Sequence, residues 1–147
     1  MRTDRAGYTV IEMVMAFTVA ATGIAMSAPK ISSSVSHMRV DQAAEVAAGD
    51  LALAASLADR EHKPVRVTID AAAQTISVTE RGGAILAKHA FGQASEYDLT
   101  ALSGSPAQVD LFPNGTASQP ITLTLGINGF TRQVVMTRAG LVHVVIP

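Results

Sequence analysis

Arg5-Ala6-Gly7-Tyr8-Thr9-Val10-Ile11-Glu12-Met13-Val14 is the stretch whose reading decides the fold: a short basic leader meets a long apolar run that carries a single carboxylate. From Tyr8 to Ala28 the one charged side chain is Glu12. About 21 residues at ~1.5 Å rise give roughly 31 Å of helix, the thickness of a bilayer core, so the segment is expected to span a membrane. A carboxylate at that depth costs at least ~2.5 kcal/mol and needs a partner, and the run supplies no cation. A secretory signal would place its small-residue cleavage site after the apolar region. Here Gly7 lies before it, directly after the basic leader. Cutting after Gly7 would leave the anchor attached and create an α-amine on Tyr8, four residues from Glu12. That amine would sit at the depth of the Glu12 of a neighbouring copy displaced by about a turn, and the two charges would neutralise each other between subunits.

Gly7-Tyr8-Thr9-Val10-Ile11-Glu12 resembles the class III signal of type IV prepilins and type II secretion pseudopilins, whose consensus reads Gly-Phe-Thr-Leu-Ile-Glu, with Tyr8 in place of the usual Phe. The resemblance implies cleavage by prepilin peptidase between Gly7 and Tyr8, N-methylation of Tyr8 and an assembly role for Glu12. Pro29 falls at the twenty-second residue after the cut, where the family often carries a helix-loosening proline. An ordinary signal anchor with one stray Glu would leave Gly7, Glu12 and Pro29 as three unrelated accidents.

A chain of 147 residues, less its anchor, has room for one small head. The formal charge is −1, and loss of the leader with Arg2, Asp4 and Arg5 takes the side-chain sum to −2. That balance makes no electrostatic case for nucleic acid or anionic lipid as a principal partner. There is no Cys, hence neither a disulfide nor a thiolate metal site. Arg2 and Arg5 favour a cytoplasmic leader, although Lys30 and Arg39 blunt the asymmetry. The prepilin resemblance puts the leader inside and the head outside.

After Pro29 the pattern stays helical but turns amphipathic. Ile31, Val35, Met38, Val46, Leu53 and Leu57 recur at steps of three, four or their sums, with Asp41, Gln42, Glu45 and Asp50 between them, which predicts a helix to about Arg60. Pro29 is expected to kink or loosen it, and Ser32, Ser33, Ser34 and Ser36 lower the propensity nearby, either as a hinge or as the entry into polar surroundings. Lys63-Pro64 ends the helix. From Val65 the period becomes two: Val65, Val67 and Ile69, then Ile76 and Val78, read as a hairpin, with a third strand over 84–91. The segment 92–106 is the least patterned and reads as a loop. Val109 and Leu111, the turn Pro113-Asn114-Gly115, then Ile121, Leu123, Leu125 and Ile127, the hairpin turn Asn128-Gly129, a returning strand to Thr137, the turn Arg138-Ala139-Gly140 and a last strand to Ile146 predict a meander. The expected fold class is α+β: leader 1–7, helix 8–62 with its membrane half at 8–28, and an antiparallel β head at 64–147 packed on the helix, a pilin-like arrangement.

Phe112-Pro113-Asn114-Gly115-Thr116-Ala117, Ile121-Thr122-Leu123, Arg132-Gln133-Val134-Val135 and Gly140-Leu141-Val142 resemble the carboxy-terminal region of the GspH/FimT group of minor pseudopilins and minor pilins.

Catalytic and metal chemistry finds little footing. His37, His62, His89 and His143 lie far apart without paired ligand spacing, no Gly-x-Ser-x-Gly elbow is present, and the carboxylates do not alternate as in a calcium loop. Asn114-Gly115-Thr116 is formally a glycosylation sequon but reads as a turn. Ala16, Ala20, Ala21, Gly23, Ala25 and Ala28 permit close helix approach in lipid. No cofactor, metal or enzymatic activity is expected. The resemblance implies a minor pseudopilin of a type II protein secretion system, single-pass in the bacterial inner membrane with a periplasmic head. Its partners would be prepilin peptidase, other pseudopilins or pilins and the inner-membrane assembly platform, with no nucleic acid. The alternatives are a FimT-like minor pilin of type IV pilus biogenesis or DNA uptake, or a membrane-anchored periplasmic enzyme or sensor.

Overall fold

The computed structural model describes residues 9–81 and 83–146, with the backbone alone at 25–29. One helix, α1 (Val10–Glu61), precedes eight strands: β1 (Val65–Asp70), β2 (Thr75–Glu80), β3 (Ile85–Ala90), β4 (Ala101–Ser105), β5 (Gln108–Leu111), β6 (Ile121–Ile127), β7 (Phe130–Met136) and β8 (Val142–Val145). The residues through Val35 form one unit and the compact head begins at Ser36, so the second half of α1 belongs to the head. His62 closes the helix in the left-handed region (φ 53°), and Lys63-Pro64 then leads straight into β1.

The head is α+β, and its strands make two four-stranded antiparallel sheets, in order β3-β2-β1-β5 and β4-β6-β7-β8. The alternation of Val65, Val67 and Ile69 with Arg66 and Thr68 does what period two requires: the apolar set is buried and faces the helix side, with Ile76 and Val78 beside it. In the second sheet Ile121, Leu123, Leu125 and Ile127 of β6 and Val134 and Met136 of β7 form the inner face. Asn128 (φ 48°) and Gly129 (φ 86°) both sit at positive φ, the two-residue turn that keeps β6 and β7 in register.

Three features depart from the sequence reading. The first is the segment 92–106, which is not all loop: Ala101–Ser105 is β4, paired along its length with β6. Only Leu102 of β4 is a buried apolar residue. Gly104 leaves room for Ile69, since a Cβ there would come within 3.0–3.1 Å of that side chain. The second is the chain path, which is no simple meander, because β5 leaves the sheet of β4 and pairs with β1. The third is the helix face. The residues of α1 that meet the sheets are Val40, Ala43, Ala44, Ala47, Leu51, Ala54 and Ala58, all essentially fully buried. The larger Met38 and Leu53 stay 61% and 42% exposed. Alanine fits where helix and sheet come close, and the bulkier side chains are pushed to the flanks.

The hairpin tip of β6 and β7 is fastened to the start of the head helix. Asn128 Nδ2 donates to Ser36 Oγ at 3.2 Å, the His37 and Phe130 rings lie 3.7 Å apart between centroids, and Arg132 pairs with Asp41. At the other end of the head, Gly140 (φ 78°) packs its α-carbon against the Gly115 carbonyl. The two turns Pro113-Asn114-Gly115 and Arg138-Ala139-Gly140 are thereby locked together, with Ala117 N donating to the Arg138 carbonyl at 2.9 Å.

Gly140→Ala should therefore destabilise the head by about 2 kcal/mol or more, from the added strain at positive φ and the clash with Gly115. Gly49→Ala, in a helical position where an added Cβ meets nothing within 4 Å, should stabilise it by about 0.5–1 kcal/mol. Urea unfolding of both variants beside the parent checks the pair.

Candidate assembly site on the amino-terminal helix

Gly7 and Tyr8 lie outside the described residues. The first described contacts of the helix concern Thr9 and Glu12. Thr9 N and Thr9 Oγ1 both donate to Glu12 Oε2, at 2.8 and 3.0 Å, and Glu12 N approaches Thr9 Oγ1 at 3.4 Å. This is a capping box, in which the residue before the helix and the third residue within it satisfy each other's open polar groups. The pattern Thr-x-x-Glu is legible in the sequence, and it gives Glu12 a structural partner that a search for cations overlooks. The positive end of the helix dipole adds to the stabilisation of the carboxylate there.

Beyond the cap, the described apolar side chains in the first part of α1 are exposed. Val10, Ile11, Met13, Val14, Met15, Phe17, Val19 and Ile24 are all 58–82% exposed. The hydroxyls in this stretch are turned back on the helix: Thr18 Oγ1 donates to the Val14 carbonyl at 2.7 Å and Thr22 Oγ1 to the Val19 carbonyl at 2.9 Å, so they carry no unmet donor into an apolar environment. Among the described residues no helix is long and apolar enough to cross a membrane. On one face Glu12, Met13, Ala16, Phe17 and Ala20 line a shallow apolar groove, with the carboxylate at one end and Phe17 between two alanines. Residue 29 lies within α1.

No group of three or more metal-ligating side chains occurs among the described residues. The histidines named from the sequence are dispersed: His37 stacks on Phe130, and His89 Nδ1 meets both carboxylate oxygens of Asp50 at 2.7 and 2.8 Å. Asp50 is the buried acid of the helix face, its side chain 5% exposed, and it ties α1 to β3. Burial holds its carboxyl above the ordinary 3.8, outweighing the opposite pull of His89. The folded head thus binds this proton more tightly than the unfolded chain. Asp50's contribution to stability is fully present below pH 3.8 and is lost as pH rises through the raised value. Accordingly, the melting temperature of wild type relative to Asp50→Asn should fall as pH is raised from about 3 to about 6, a trend that calorimetry at several pH values checks.

The comparisons with known proteins concern the head and the fold. The family model for type II transport protein GspH matches residues 43–140, which takes in the alanine face of α1 and both interlocked turns. Two crystal structures of the type IV minor pilin FimU of Pseudomonas aeruginosa share the fold. One has a TM-score of 0.58 at 20% identity over 71% of this chain and 91% of FimU, the other 0.59 at 20% identity over 72% and 87%. No curated protein matches the chain. The family match rests on the head alone, independently of the stretch around Glu12. A pilin-like head of two sheets on an alanine-faced helix, matched across 43–140, makes the chain a member of the GspH family of type II transport proteins.

Proposed function

We propose that this GspH-family chain is a non-catalytic minor subunit of a type II secretion pseudopilus, held in the inner membrane by α1 until it is processed and assembled, with its head in the periplasm. The observation that carries the reading is the pairing of a GspH-type head with an uncovered apolar helix capped by Glu12. Prepilin peptidase would cut between Gly7 and Tyr8, and Tyr8 would be N-methylated. The helix, loosened at Pro29, would then pack against other pseudopilins on the assembly platform. Both cap bonds fall on Oε2 of Glu12, which leaves Oε1 for a cation from outside the chain. The α-amine of a neighbouring Tyr8 fits that place, and in a low-dielectric surrounding the pair attracts strongly while either charge alone is costly.

A type IV minor pilin is the second reading, favoured by the likeness of fold to FimU. Its DNA-uptake version has little support in this head: Arg132 is 14% exposed and paired with Asp41, and Arg138 Nη2 donates to the Ser118 carbonyl at 3.2 Å. Those arginines are engaged within the fold rather than set out as a basic surface.

Substitutions at Glu12 separate the cap from the charge. Glu12→Val removes both, whereas Glu12→Gln retains a capping-box partner and loses only the charge. Both variants should be cleaved and keep a normal head, and both should enter filaments poorly, with Glu12→Asp intermediate. Cross-linking of subunits in membranes, with cleavage scored in the same samples, reads this out. Co-assembly of Glu12→Gln at the wild-type level would show that capping is the whole role of Glu12.

A further inference from the structure

A sheet that ends in the open leaves a row of backbone N–H and C=O groups unpaired, and three of the four sheet ends in this head deal with that row. The outer side of β5 is covered by the segment after it: Ser118 N donates to the Asp110 carbonyl at 2.8 Å, and Asp110 N to Ser118 Oγ at 3.1 Å. β4 runs close against the other sheet, where a Cβ on Gly104 would come within 3.0–3.1 Å of Ile69. β3 pairs with β2 through a register shift at Val78 and Thr79 and carries Lys88, two features that resist further pairing. β8 has none of these. Its register on β7 is unbroken, the residues from Leu141 to Ile146 include no Lys, Arg, Asp or Glu, and Leu141, Val145 and Ile146 are 65%, 39% and 73% exposed.

A floor for one more strand is already in place beside it. Ala43, Ala44 and Ala47 of α1 carry the existing sheets because their small side chains let strands lie close. That small-residue surface continues past the last strand. Ala48 is half-buried, Gly49 and Ala52 are exposed, and with Glu45 they form an open cleft against Val142, His143 and Val144 of β8. A Cβ added at Gly49 would meet nothing within 4 Å. An incoming strand would thus find β8 backbone at its side, a shallow helix surface beneath it and apolar side chains along its outer face. The cleft also sets the charge of its occupant. Glu45 makes no ion pair among the described residues, and it shares a second groove with the carboxylate of Glu96.

We infer that the β8 edge receives one strand of a different pseudopilin, apolar on its outer face and bearing on its inner face a Lys or Arg that meets Glu45. Strand addition to an open sheet edge draws its affinity from the main chain and its specificity from side chains placed on alternate faces. A second copy of this chain does not supply the strand, because its β3 is guarded and its β8 has no Lys or Arg to bring to Glu45. A minor subunit has other chains as its neighbours, and one edge that takes one strand fixes a single directional contact. β8 is four residues long, far below the area that holds proteins together in solution, so the pairing forms where packed helices hold two heads side by side. The inference deepens the pseudopilus reading and rests on it.

The test places the photo-crosslinking amino acid p-benzoylphenylalanine at His143 or, separately, at Val145 of the full-length chain, in cells that assemble the filament with its other subunits. Both positions are exposed and lie two apart on one strand, so they share a face. Unchanged melting of each purified variant confirms that the fold is kept. The two adducts, mapped by mass spectrometry, are expected on one extended segment of another pseudopilin, displaced from each other by about two residues as strand register requires. Glu45→Lys should lower the yield of both about fivefold, and reversal of the mapped cation to Glu should restore it. Asp59→Lys, at an exposed acid about 21 Å further along α1, should leave the yield unchanged. In cleaved chains, adducts to a second copy, to a helix, or to a protein other than a pseudopilin would overturn the strand pairing and leave the filament reading in place. So would adducts without the displacement, a yield indifferent to Glu45→Lys, or no adduct at all. Chains that stay uncleaved would overturn both.

Discussion

The alanine face of α1 is the constraint on which the head depends. Ala43, Ala44, Ala47, Ala54 and Ala58 give up bulk so that β-branched and leucine side chains of two sheets can close over one helix. Apolar area is then supplied mainly from the strands, by Val65, Val67, Ile69, Ile121, Leu123 and Leu125, while the helix supplies shape. A larger side chain at any of those alanines would have to push a sheet away, and the strained turn at Gly140 and the glycine opposite Ile69 leave little slack for that.

The first part of α1 obeys a different rule. Its apolar side chains are large and uncovered, its threonine hydroxyls are bonded back to the helix, and its one carboxylate is held by Thr9. Such a segment is stable as a helix only where something apolar surrounds it, either lipid or the helices of other subunits. The head, by contrast, satisfies its polar groups internally, down to the buried Asp50 held by His89. One chain thus carries a self-contained head and a helix that requires company, which is the division of labour expected of a filament subunit.

Most of this was legible in the sequence wherever period and punctuation speak. The switch from helical to alternating pattern at Val65, the Asn128-Gly129 turn and the antiparallel returns all follow from side-chain periodicity and positive φ. What escaped is what periodicity does not encode. Leucine and methionine draw the eye to a helix face, yet the buried face is alanine, because closeness of approach decides it. β4 is hidden because four of its five residues are Ala, Ser or Gly and its pairing with β6 is set by the fold around it. The crossing of β5 to β1 is a tertiary choice, since local pattern specifies strands and leaves their neighbours open. At the site the Gly7, Tyr8 and Glu12 pattern pointed to assembly chemistry, but Glu12's hydrogen bonds to Thr9 went unread because a charge in an apolar run prompts a search for a countercharge.

Where the mature chain begins decides whether an α-amine is placed to meet Glu12. Mass spectrometry of the protein recovered from the membranes of cells that carry prepilin peptidase reads this directly. The prediction is a chain that starts at Tyr8, heavier by one methyl group on its α-amine, with the precursor accumulating when the peptidase is absent. A mature protein that starts anywhere else, or a precursor that persists unprocessed beside an active peptidase, would contradict it.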